Sequence, residues 1–281
     1  MIGITGATGF IGHRLFQRLR VQGEPVRALA RPLAPAAVEG CTTIVHLAGE
    51  PIAQRWTPEV KKRIRESRIE GTRRLTELIT SAAKPVSTLV SGSAVGYYGD
   101  RGDEILTETS PPGTGFLPDT CVEWEAAARE AEQAGTRVVN LRTGMVLGGG
   151  GALTKMLPPF RLGLGGPVGS GRQWMSWIHI DDVVELILFV LRERRLTGPV
   201  NAVAPEPVRN GEFAKALGAA VHRPAILPVP VFALKIVFGE MASVMTTSQR
   251  VIPEAAQAAG FRYRYEQIRP ALESAIQDHS S

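Results

Sequence analysis

The chain has 281 residues, with 44% hydrophobic and 21% charged residues and a formal net charge of +5. These proportions are typical of a globular protein with enough apolar surface for a core, and they exclude a disordered chain. The basic residues are dispersed, and their densest runs, at residues 61–63 and 192–195, have the pattern of solvated helix faces. We therefore expect no nucleic-acid partner, and a mildly basic balance suits an anionic small-molecule ligand equally well.

The cysteines, histidines and apolar runs limit the class of protein further. Cys41 and Cys121 do not stand in a metal-binding spacing and the five histidines are scattered, so we expect reduced thiols, no metal and a cytoplasmic location. Met1 leads directly into an apolar strand, which predicts that no secretory signal opens the chain. The apolar run at 226–238 holds two prolines and a lysine and is too short to span a bilayer, so we expect no membrane partner.

The N-terminal segment carries the clearest functional pattern. An apolar strand over residues 2–5 is followed by Gly6, Gly9 and Gly12 in the spacing G-x-x-G-x-x-G, then by a helix and a second strand over 26–29. Strand, glycine turn, helix and strand in this order predict a dinucleotide-binding βαβ unit. An ordinary tight turn between a strand and a helix, without a ligand, is the alternative explanation of the glycines.

Each glycine has a physical reason in a nucleotide site. The chain must turn sharply out of the strand at Gly6, a side chain at Gly9 would hold the backbone away from a pyrophosphate, and one at Gly12 would push the helix off the sheet. The pyrophosphate would lie on free N–H groups at the helix N-terminus, where the helix dipole favours negative charge.

Arg31 follows the second strand and indicates which nucleotide the unit prefers. An acidic residue at this place accepts from the ribose 2′-hydroxyl of NAD, whereas an arginine accommodates the 2′-phosphate of NADP. A charge-assisted hydrogen bond contributes about 1.5–3 kcal/mol, so the preference for NADP(H) would be roughly 10- to 150-fold. A solvated loop cation is the alternative interpretation of Arg31.

The link that follows is unusually short. Residues 32–42 are the whole connection between the second strand and the next apolar strand at 43–47. A full crossover takes at least about 10–12 residues including its helix, so an extra helix and an extra strand do not both fit. We therefore predict that the usual second helix and third strand of the first half are missing, and that the second strand lies at the sheet edge.

Strands and helices then alternate. Helices are predicted over residues 58–83 and 119–133, and strands over 88–91 and 137–141. This alternation predicts an α/β fold with a doubly wound parallel sheet.

After residue 148 the sequence changes to glycine- and proline-rich segments joined by shorter helices. The predicted organisation is a dinucleotide-binding domain of residues 1–150 with 175–200 packing back onto it, a small substrate-binding domain of residues 151–174 and 201–276, and a tail of residues 277–281.

Four motifs stand out along the chain: TGATGFIG at 5–12, HLAG at 46–49, SGSAVGYYG at 91–99 and WIHIDD at 177–182. Together they resemble the extended short-chain dehydrogenases/reductases, the relatives of sugar-nucleotide epimerases. Residues 49–52, 67–68, 159–166, 204–207 and 249–253 further resemble the atypical, YfcH-like branch, the NAD(P)-dependent epimerase family. The resemblance covers nearly the whole chain, and the short link at 32–42 departs from the usual pattern.

The resemblance implies a Rossmann-type domain and a smaller C-terminal substrate domain with NADP(H) between them. It also implies residue roles: the 2′-phosphate held by Ala30 and Arg31, the adenosine ribose lined by Leu47 and Ala48, the phosphates or ribose reached by Arg68, and the nicotinamide backed by Met145 and Val146. With the glycine turn and the strand ends, the expected cofactor-binding set is Gly6, Gly9, Phe10, Ile11, Gly12, Ala30, Arg31, Leu47, Ala48, Gly49, Arg68, Arg142, Met145 and Val146.

The catalytic pattern of that family is incomplete. Short-chain dehydrogenases use a Tyr-x-x-x-Lys pair and a serine, and the sequence contains no Tyr-x-x-x-Lys; Leu117 and Cys121 stand at the corresponding positions. Leucine has no ionisable group, and a neutral cysteine supplies no positive field. Ser93, at the end of a strand, is the predicted catalytic serine and Ser91 the second choice. A hydroxyl that only ties down a turn is the alternative for Ser93.

Tyr97 and Tyr98 follow this serine and are the candidates to replace the missing tyrosine, with Tyr97 preferred. A phenol with an ordinary pKa near 10 needs a neighbouring cation, which Arg142 or the nicotinamide would supply. Two aromatic rings packed at a domain interface are the alternative explanation.

Other side chains are candidates to contact the substrate between the two predicted domains. Arg161, Arg172 and Trp174 lie in the glycine-rich segment and would suit an anionic or aromatic substrate group, with surface placement as the alternative. His179 and Asp181 also suggest chemistry, but we expect Asp181 to cap the following helix.

The sequence thus predicts an NADP(H)-binding oxidoreductase or epimerase-like protein that transfers hydride at an oxygen-bearing carbon of a small-molecule substrate. A non-catalytic NADP(H)-binding redox sensor or partner-binding module is the alternative, and a sugar-nucleotide binding protein without redox function is a third class. The sequence leaves a homodimer open.

Overall fold

The computed structural model describes the backbone of residues 1–280 and the side chains of residues 1–278. In chain order the strands are β1 (Ile2–Thr5), β2 (Val26–Leu29), β3 (Thr43–His46), β4 (Thr88–Ala94), β5 (Ile105–Leu106), β6 (Arg137–Thr143), β7 (Met145–Leu147), β8 (Trp174–Met175), β9 (Trp177–His179), β10 (Gly198–Ala202), β11 (Val208–Arg209) and β12 (Arg250–Val251). The α-helices are α1 (Phe10–Val21), α2 (Pro35–Val38), α3 (Pro58–Thr80), α4 (Phe116–Arg129), α5 (Gly151–Arg161), α6 (Ile180–Arg192), α7 (Asn210–Ala220), α8 (Val231–Phe238), α9 (Ala242–Thr246), α10 (Glu254–Ala258) and α11 (Ile268–Ser280).

Six of these strands form one sheet in the order β10-β6-β4-β3-β1-β2, and every pair in it is parallel. Successive residues of a strand face opposite sides of a sheet. Val45 and Val90 accordingly pack under α1 and α6, while Ile44 and Leu89 pack under α3 and α4. Helices cover both faces, so the predicted doubly wound α/β fold is confirmed.

The short link after β2 has the predicted consequence. β3 pairs directly with β1, and β2 is the last strand in the sheet order, so it lies at the edge as expected. No further strand lies between β2 and β3 among the described residues, and the usual second helix is reduced to the single turn of α2. The sheet is therefore open beside the carboxyl ends of β2 and β3.

Helix α3 is the element that faces this opening. Thr57 caps its N-terminus by accepting a hydrogen bond from the backbone N–H of Val60 at 3.3 Å, and Pro58 occupies the first turn. Ile64, Leu75 and other apolar residues at helical spacing are buried against the sheet. The helix therefore presents its remaining face to solvent and to the end of β2.

The C-terminal segments build a second core. Helices α5, α7 and α11 pack together through buried side chains such as Leu157, Phe213 and Leu272. Helix α11 continues to Ser280, so residues 277–280 of the expected tail belong to a helix, and residue 281 lies outside the described residues. The division into two domains at the stated boundaries stays a prediction.

Among the described helices, none is both long enough and apolar enough to cross a membrane. Within the same part of the chain, histidine, cysteine and acidic side chains form no group suited to a metal ion.

Candidate functional site

The glycine turn joins β1 to α1 under tight steric limits. Gly6 has a φ of +69°, and a Cβ there would lie 2.8 Å from the backbone of Leu47 and Ala48. A Cβ on Gly12 would lie 2.1 Å from the carbonyl oxygen of Gly6, so its clash is with the turn itself rather than with the sheet. Gly9 donates its N–H to that same oxygen at 2.9 Å. A side chain at Gly12 would therefore force α1 away from the end of β1, in keeping with the predicted reason for this glycine.

Helix α1 begins at this turn with its first N–H groups open to an anion. Its N-cap is Gly9, which has no side chain to cap the helix, and its first turn carries no acidic residue. Phe10, the first helical residue, is covered by the glycine run after β7: Cβ atoms on Gly148 and Gly150 would lie 2.8 and 2.7 Å from its ring. The glycine run therefore lets the chain pass directly over this ring.

A cavity of about 710 Å³ opens at the carboxyl ends of β2 and β3, against α3. Its wall includes Arg31, His46, Ala48, Ser67, Gly71 and Arg74. None of the described residues that line it is acidic, and Arg31 has no carboxylate within 4 Å among the described residues. The cavity is therefore positively charged and open to an anion.

His46 forms the floor of this cavity as a neutral ring. Its Nδ1 lies 2.6 Å from the hydroxyl of Thr5, and its Nε2 lies 3.0 Å from the hydroxyl of Thr72. Burial, and secondarily the charge of Arg31, lowers the pKa of His46 from 6.5 to about 4. At neutral pH the positive charge of the cavity therefore resides on its arginines.

The turn after β3 is held from α3 by two side chains. Arg68 donates through Nη1 to the carbonyl of Glu50 at 2.9 Å, and Ser67 accepts from the Glu50 N–H at 2.9 Å. The guanidinium of Arg68 also lies against Gly49, where a Cβ would be 3.4 Å from Cζ. Burial lowers the pKa of Arg68. Leu47, Ala48 and Gly49 thus form a fixed edge beside the glycine turn, and its last two residues are small.

A buried network occupies the carboxyl ends of β4 and β6. Ser93 donates its hydroxyl proton to Glu125 Oε1 at 2.7 Å, and Arg142 donates to both carboxylate oxygens of Glu125 at 2.8 and 2.9 Å. The Arg142 and Glu125 side chains are 4% and 3% exposed. Burial alone would lower the pKa of Arg142, but its hydrogen bonds to Glu125 and the charge of that carboxylate raise it. The Arg142 guanidinium therefore stays protonated over the physiological pH range.

The two candidate tyrosines differ in this network. Tyr98 is fully buried, donates to Asn201 Oδ1 at 2.6 Å and accepts from Arg142 at 3.0 Å. Burial raises the pKa of Tyr98 to about 12, so its hydroxyl stays protonated at neutral pH. Tyr97 is half-buried, with the Arg142 guanidinium 3.4 Å from its ring centroid, and no described residue hydrogen-bonds its hydroxyl.

The positions of the missing pair are apolar. Leu117 belongs to a cluster with Trp56 and Met241, and a Cβ on Gly96 would lie 3.4 Å from it. Cys121 is buried, with Sγ 3.9 Å from the carbonyl of Ala94, and burial raises the pKa of its thiol to about 12. Leu117 has no ionisable group and the Cys121 thiol stays protonated at neutral pH, so neither residue offers a charge.

Several candidates lie away from these two clusters. His179, not Asp181, caps α6, because its Nδ1 accepts from the Asp181 N–H at 3.2 Å. Asp181 lies in the first turn and binds Arg14 at 2.8 Å, so its predicted capping role is wrong. Trp174 donates to Asp103 at 2.9 Å at the protein surface.

Arg161 and Arg172 are exposed, and the backbone carbonyl of each accepts a hydrogen bond from another arginine. Their assignment to the substrate stays a prediction.

The structure thus brings most of the cofactor candidates together around the glycine turn and the cavity. Ala30 is exposed beside Arg31, and Val146 packs in the same core cluster as Phe10. Met145 is half-buried in β7 and packs against the C-terminal core. Arg142 is the exception, since its described bonds all go to protein groups. Its role toward the cofactor, like the catalytic role of Ser93, stays a prediction.

Sequence reasoning missed Glu125 and Gly71. Both had a signal: an acidic residue four positions after Cys121 on a buried helical stripe, and a glycine in the middle of a long helix.

Comparisons with known proteins place the chain among relatives of matching length. Residues 2–202 match the NAD dependent epimerase/dehydratase family, and residues 229–275 match a domain of unknown function. A chloroplastic SDR39U1 homolog of Arabidopsis thaliana, an epimerase family protein, is 43% identical over 98% of this chain and 86% of its own length. The mouse epimerase family protein SDR39U1 is 39% identical over 97% and 98%.

A solved structure of human SDR39U1, described as a complex with NADPH, is 37% identical and superimposes with a TM-score of 0.92 over 98% of this chain and 99% of that one. Since the first family spans most of the chain and these relatives match along nearly all of it, the chain belongs to the NAD dependent epimerase/dehydratase family.

Proposed function

We propose that this protein binds NADP(H) along the carboxyl edge of the main sheet and acts as an oxidoreductase or epimerase-like enzyme on a small molecule. The observation that carries the proposal is the positively charged cavity at the end of β2, which lies beside the glycine turn and has no acidic residue among its described lining. The human relative described with NADPH supports the same choice of nucleotide.

The residues present fit a phosphorylated dinucleotide. Gly6, Gly9 and Gly12 keep side chains away from the start of α1, whose N–H groups suit a pyrophosphate. Arg31 has no carboxylate partner among the described residues, so its guanidinium is free for a 2′-phosphate. Ala48 leaves room at the edge of β3 for the adenosine. A ribose diol would find no carboxylate acceptor among the described lining residues.

NADP(H), when bound, supplies hydride exchange at its nicotinamide ring. The chain's own part is to bind and orient the reactants and to manage the proton at the substrate oxygen. The Ser93 hydroxyl is already engaged as a hydrogen-bond donor to Glu125, and Tyr98 donates to Asn201. The hydroxyl of Tyr97 is the group at this edge that no described residue engages, so we propose Tyr97 as the proton-exchanging residue.

The second candidate is a non-catalytic NADP(H) sensor, and a specific observation favours it. Leu117 and Cys121 occupy the positions of the usual dyad, and neither carries a charge at neutral pH. A protein with an intact nucleotide site and this replacement would bind NADP(H) without turnover.

Calorimetric titration of the nucleotide-free protein with NADPH and with NADH tests the proposed nucleotide binding. We expect NADPH to bind more tightly, and Arg31→Ala to weaken NADPH binding roughly 10- to 150-fold with little effect on NADH. Arg27→Ala is the matched control, because Arg27 lies on β2 four residues before Arg31, is exposed, donates to the carbonyl of Glu39, and does not line the cavity. Failure of both nucleotides to bind would overturn the enzyme and the sensor alike.

A substrate screen on the NADPH-loaded protein separates the two candidates. Oxidation of the nicotinamide by one metabolite pool, followed through its absorbance and lost in Tyr97→Phe, would establish the enzyme. Nicotinamide that stays unchanged with every pool, in a protein that binds NADPH tightly, would establish the sensor.

A further inference from the structure

The cavity at the end of β2 holds a second arginine that the family pattern and the sequence did not single out. We propose that Arg74 and Arg31 together grip the 2′-phosphate from opposite walls of this cavity, and that Gly71 leaves the space for the adenine. This inference rests on the proposed function, because it names the residues that select NADP(H) over NAD(H) at that site.

Two independent elements supply the two arginines. Arg31 follows β2, and Arg74 projects from α3, and both side chains line the same volume of about 710 Å³. Arg74 has one carboxylate partner among the described residues, Glu77, at 3.1 Å on the same helix. Those side chains are 54% and 63% exposed, so this pair is weak and leaves Arg74 free to turn toward a doubly charged phosphate.

Among the described residues that line the cavity, no other side chain carries a positive charge for the phosphate. The one histidine of the lining, His46, is neutral at pH 7 because burial lowers its pKa to about 4. Two guanidinium groups, in a lining that holds no acidic residue among those described, favour a phosphate monoester strongly over a ribose diol. The second arginine therefore adds to the discrimination that Arg31 begins.

Gly71 has no packing reason to be glycine. It lies inside the 23-residue helix α3, where glycine is less favourable than alanine. A Cβ built on it meets no atom within 4 Å, and the residue borders the cavity. A glycine that costs helix stability without relieving a clash indicates a space that must stay empty for a ligand, and a flat purine ring fits against exposed helix backbone.

The test measures NADPH and NADH affinity in Arg74→Ala, with Arg73→Ala as the matched control. Arg73 is the neighbouring arginine of the same helix, but it pairs with Glu70 at 2.9 Å and does not line the cavity. We expect Arg74→Ala to weaken NADPH binding about 10-fold and NADH binding less than about 2-fold, with both affinities unchanged in Arg73→Ala. Titration with 2′,5′-ADP and 5′-AMP should give the same contrast without the nicotinamide.

Gly71→Leu tests the adenine space separately. A leucine there would fill part of the cavity and weaken NADPH and NADH equally, while its better helix propensity would keep or raise the thermal midpoint of unfolding. If wild type prefers NADPH but Arg74→Ala keeps that full preference, or if Gly71→Leu binds both nucleotides as wild type does, this inference is wrong and the proposed function stands. If wild type binds neither nucleotide, the proposed function itself fails.

Discussion

Two clusters of charged side chains lie along the carboxyl edge of the main sheet, and they differ in how their charges are used. At the ends of β2 and β3, Arg31 has no carboxylate within 4 Å among the described residues, and the first N–H groups of α1 are open. At the ends of β4 and β6, Arg142 is bound by both oxygens of Glu125, and Ser93 donates to the same carboxylate.

The difference separates a site whose charge is unpaired, and so suited to a ligand, from a network in which Arg142, Glu125 and Ser93 bind one another. Buried polar groups are normally paired, so the closed network needs no ligand to explain it. An exposed cation without a partner, beside an uncapped helix start, is stabilised electrostatically only when an anion binds there. The first cluster is therefore the stronger evidence for function, and the second is first of all a structural device whose failure should cost stability.

The largest expected effect comes from breaking the closed cluster. Glu125→Gln removes the charge that compensates the buried Arg142 guanidinium, and we expect a loss of about 3–5 kcal/mol in the free energy of unfolding. Denaturant titration measures it. Glu123→Gln, on the same helix but in an exposed pair with Arg65, should change stability by less than about 1 kcal/mol. Equal losses in the two variants would contradict the contrast between the clusters.

The neutral state of His46, in the floor of the first cluster's cavity, predicts that the stability of the protein depends on pH. Its pKa falls from 6.5 to about 4 on folding, so between these values the unfolded chain binds a proton that the folded chain does not. Stability therefore falls as pH falls through this window, by about 3 kcal/mol in total from this residue. Below pH 4 the contribution levels off.

Denaturant titrations at pH 7, 5.5 and 4.5 compare wild type with His46→Gln, whose loss of stability between pH 7 and 4.5 should be smaller by about 2 kcal/mol. The exposed His13, substituted in the same way, is the control. An unchanged slope in His46→Gln would show that the folded ring takes up its proton at the same pH as the unfolded chain, and the cavity would then gain a third cation on acidification.

The glycine turn allows binding and folding to be separated. Gly12→Ala places a methyl group 2.1 Å from the carbonyl oxygen of Gly6, and we expect it to lower the free energy of unfolding by about 1–3 kcal/mol. A Cβ on Gly9 would lie 3.2 Å from the same atom, so Gly9→Ala should fold nearly normally and lose NADPH affinity instead. Unfolding and calorimetric titrations on both variants check this. Retained affinity in Gly9→Ala would exclude a pyrophosphate at this turn.

The smallest effect concerns Ser93. Removing its hydroxyl in Ser93→Ala leaves Glu125 with both bonds from Arg142, so we expect a loss of only about 1 kcal/mol. Ser91→Ala is the control, because Ser91 is also buried and donates to the Gly92 carbonyl at a longer 3.3 Å. In an assay of nicotinamide turnover, full loss of activity in Ser93→Ala without a change in stability would show that this hydroxyl serves the substrate rather than the network.

The sequence by itself determined those features that depend on local spacing and chain length. The intervals among Gly6, Gly9 and Gly12 fixed the turn, the position of Arg31 after β2 fixed one wall of the cavity, and the short link at 32–42 fixed β2 at the edge. These conclusions hold because sterics and the reach of the backbone act between residues that are close in the chain.

Only the tertiary structure decided what lies opposite these residues. Ser93 and Arg142 come from neighbouring strands and meet Glu125 from a helix, at separations of 32 and 17 residues. Gly71 and Arg74 belong to a helix whose periodicity shows a buried stripe but not which part of its other face borders a cavity. The rotation of a helix over a sheet is set by packing of the whole core, so no local pattern contains it.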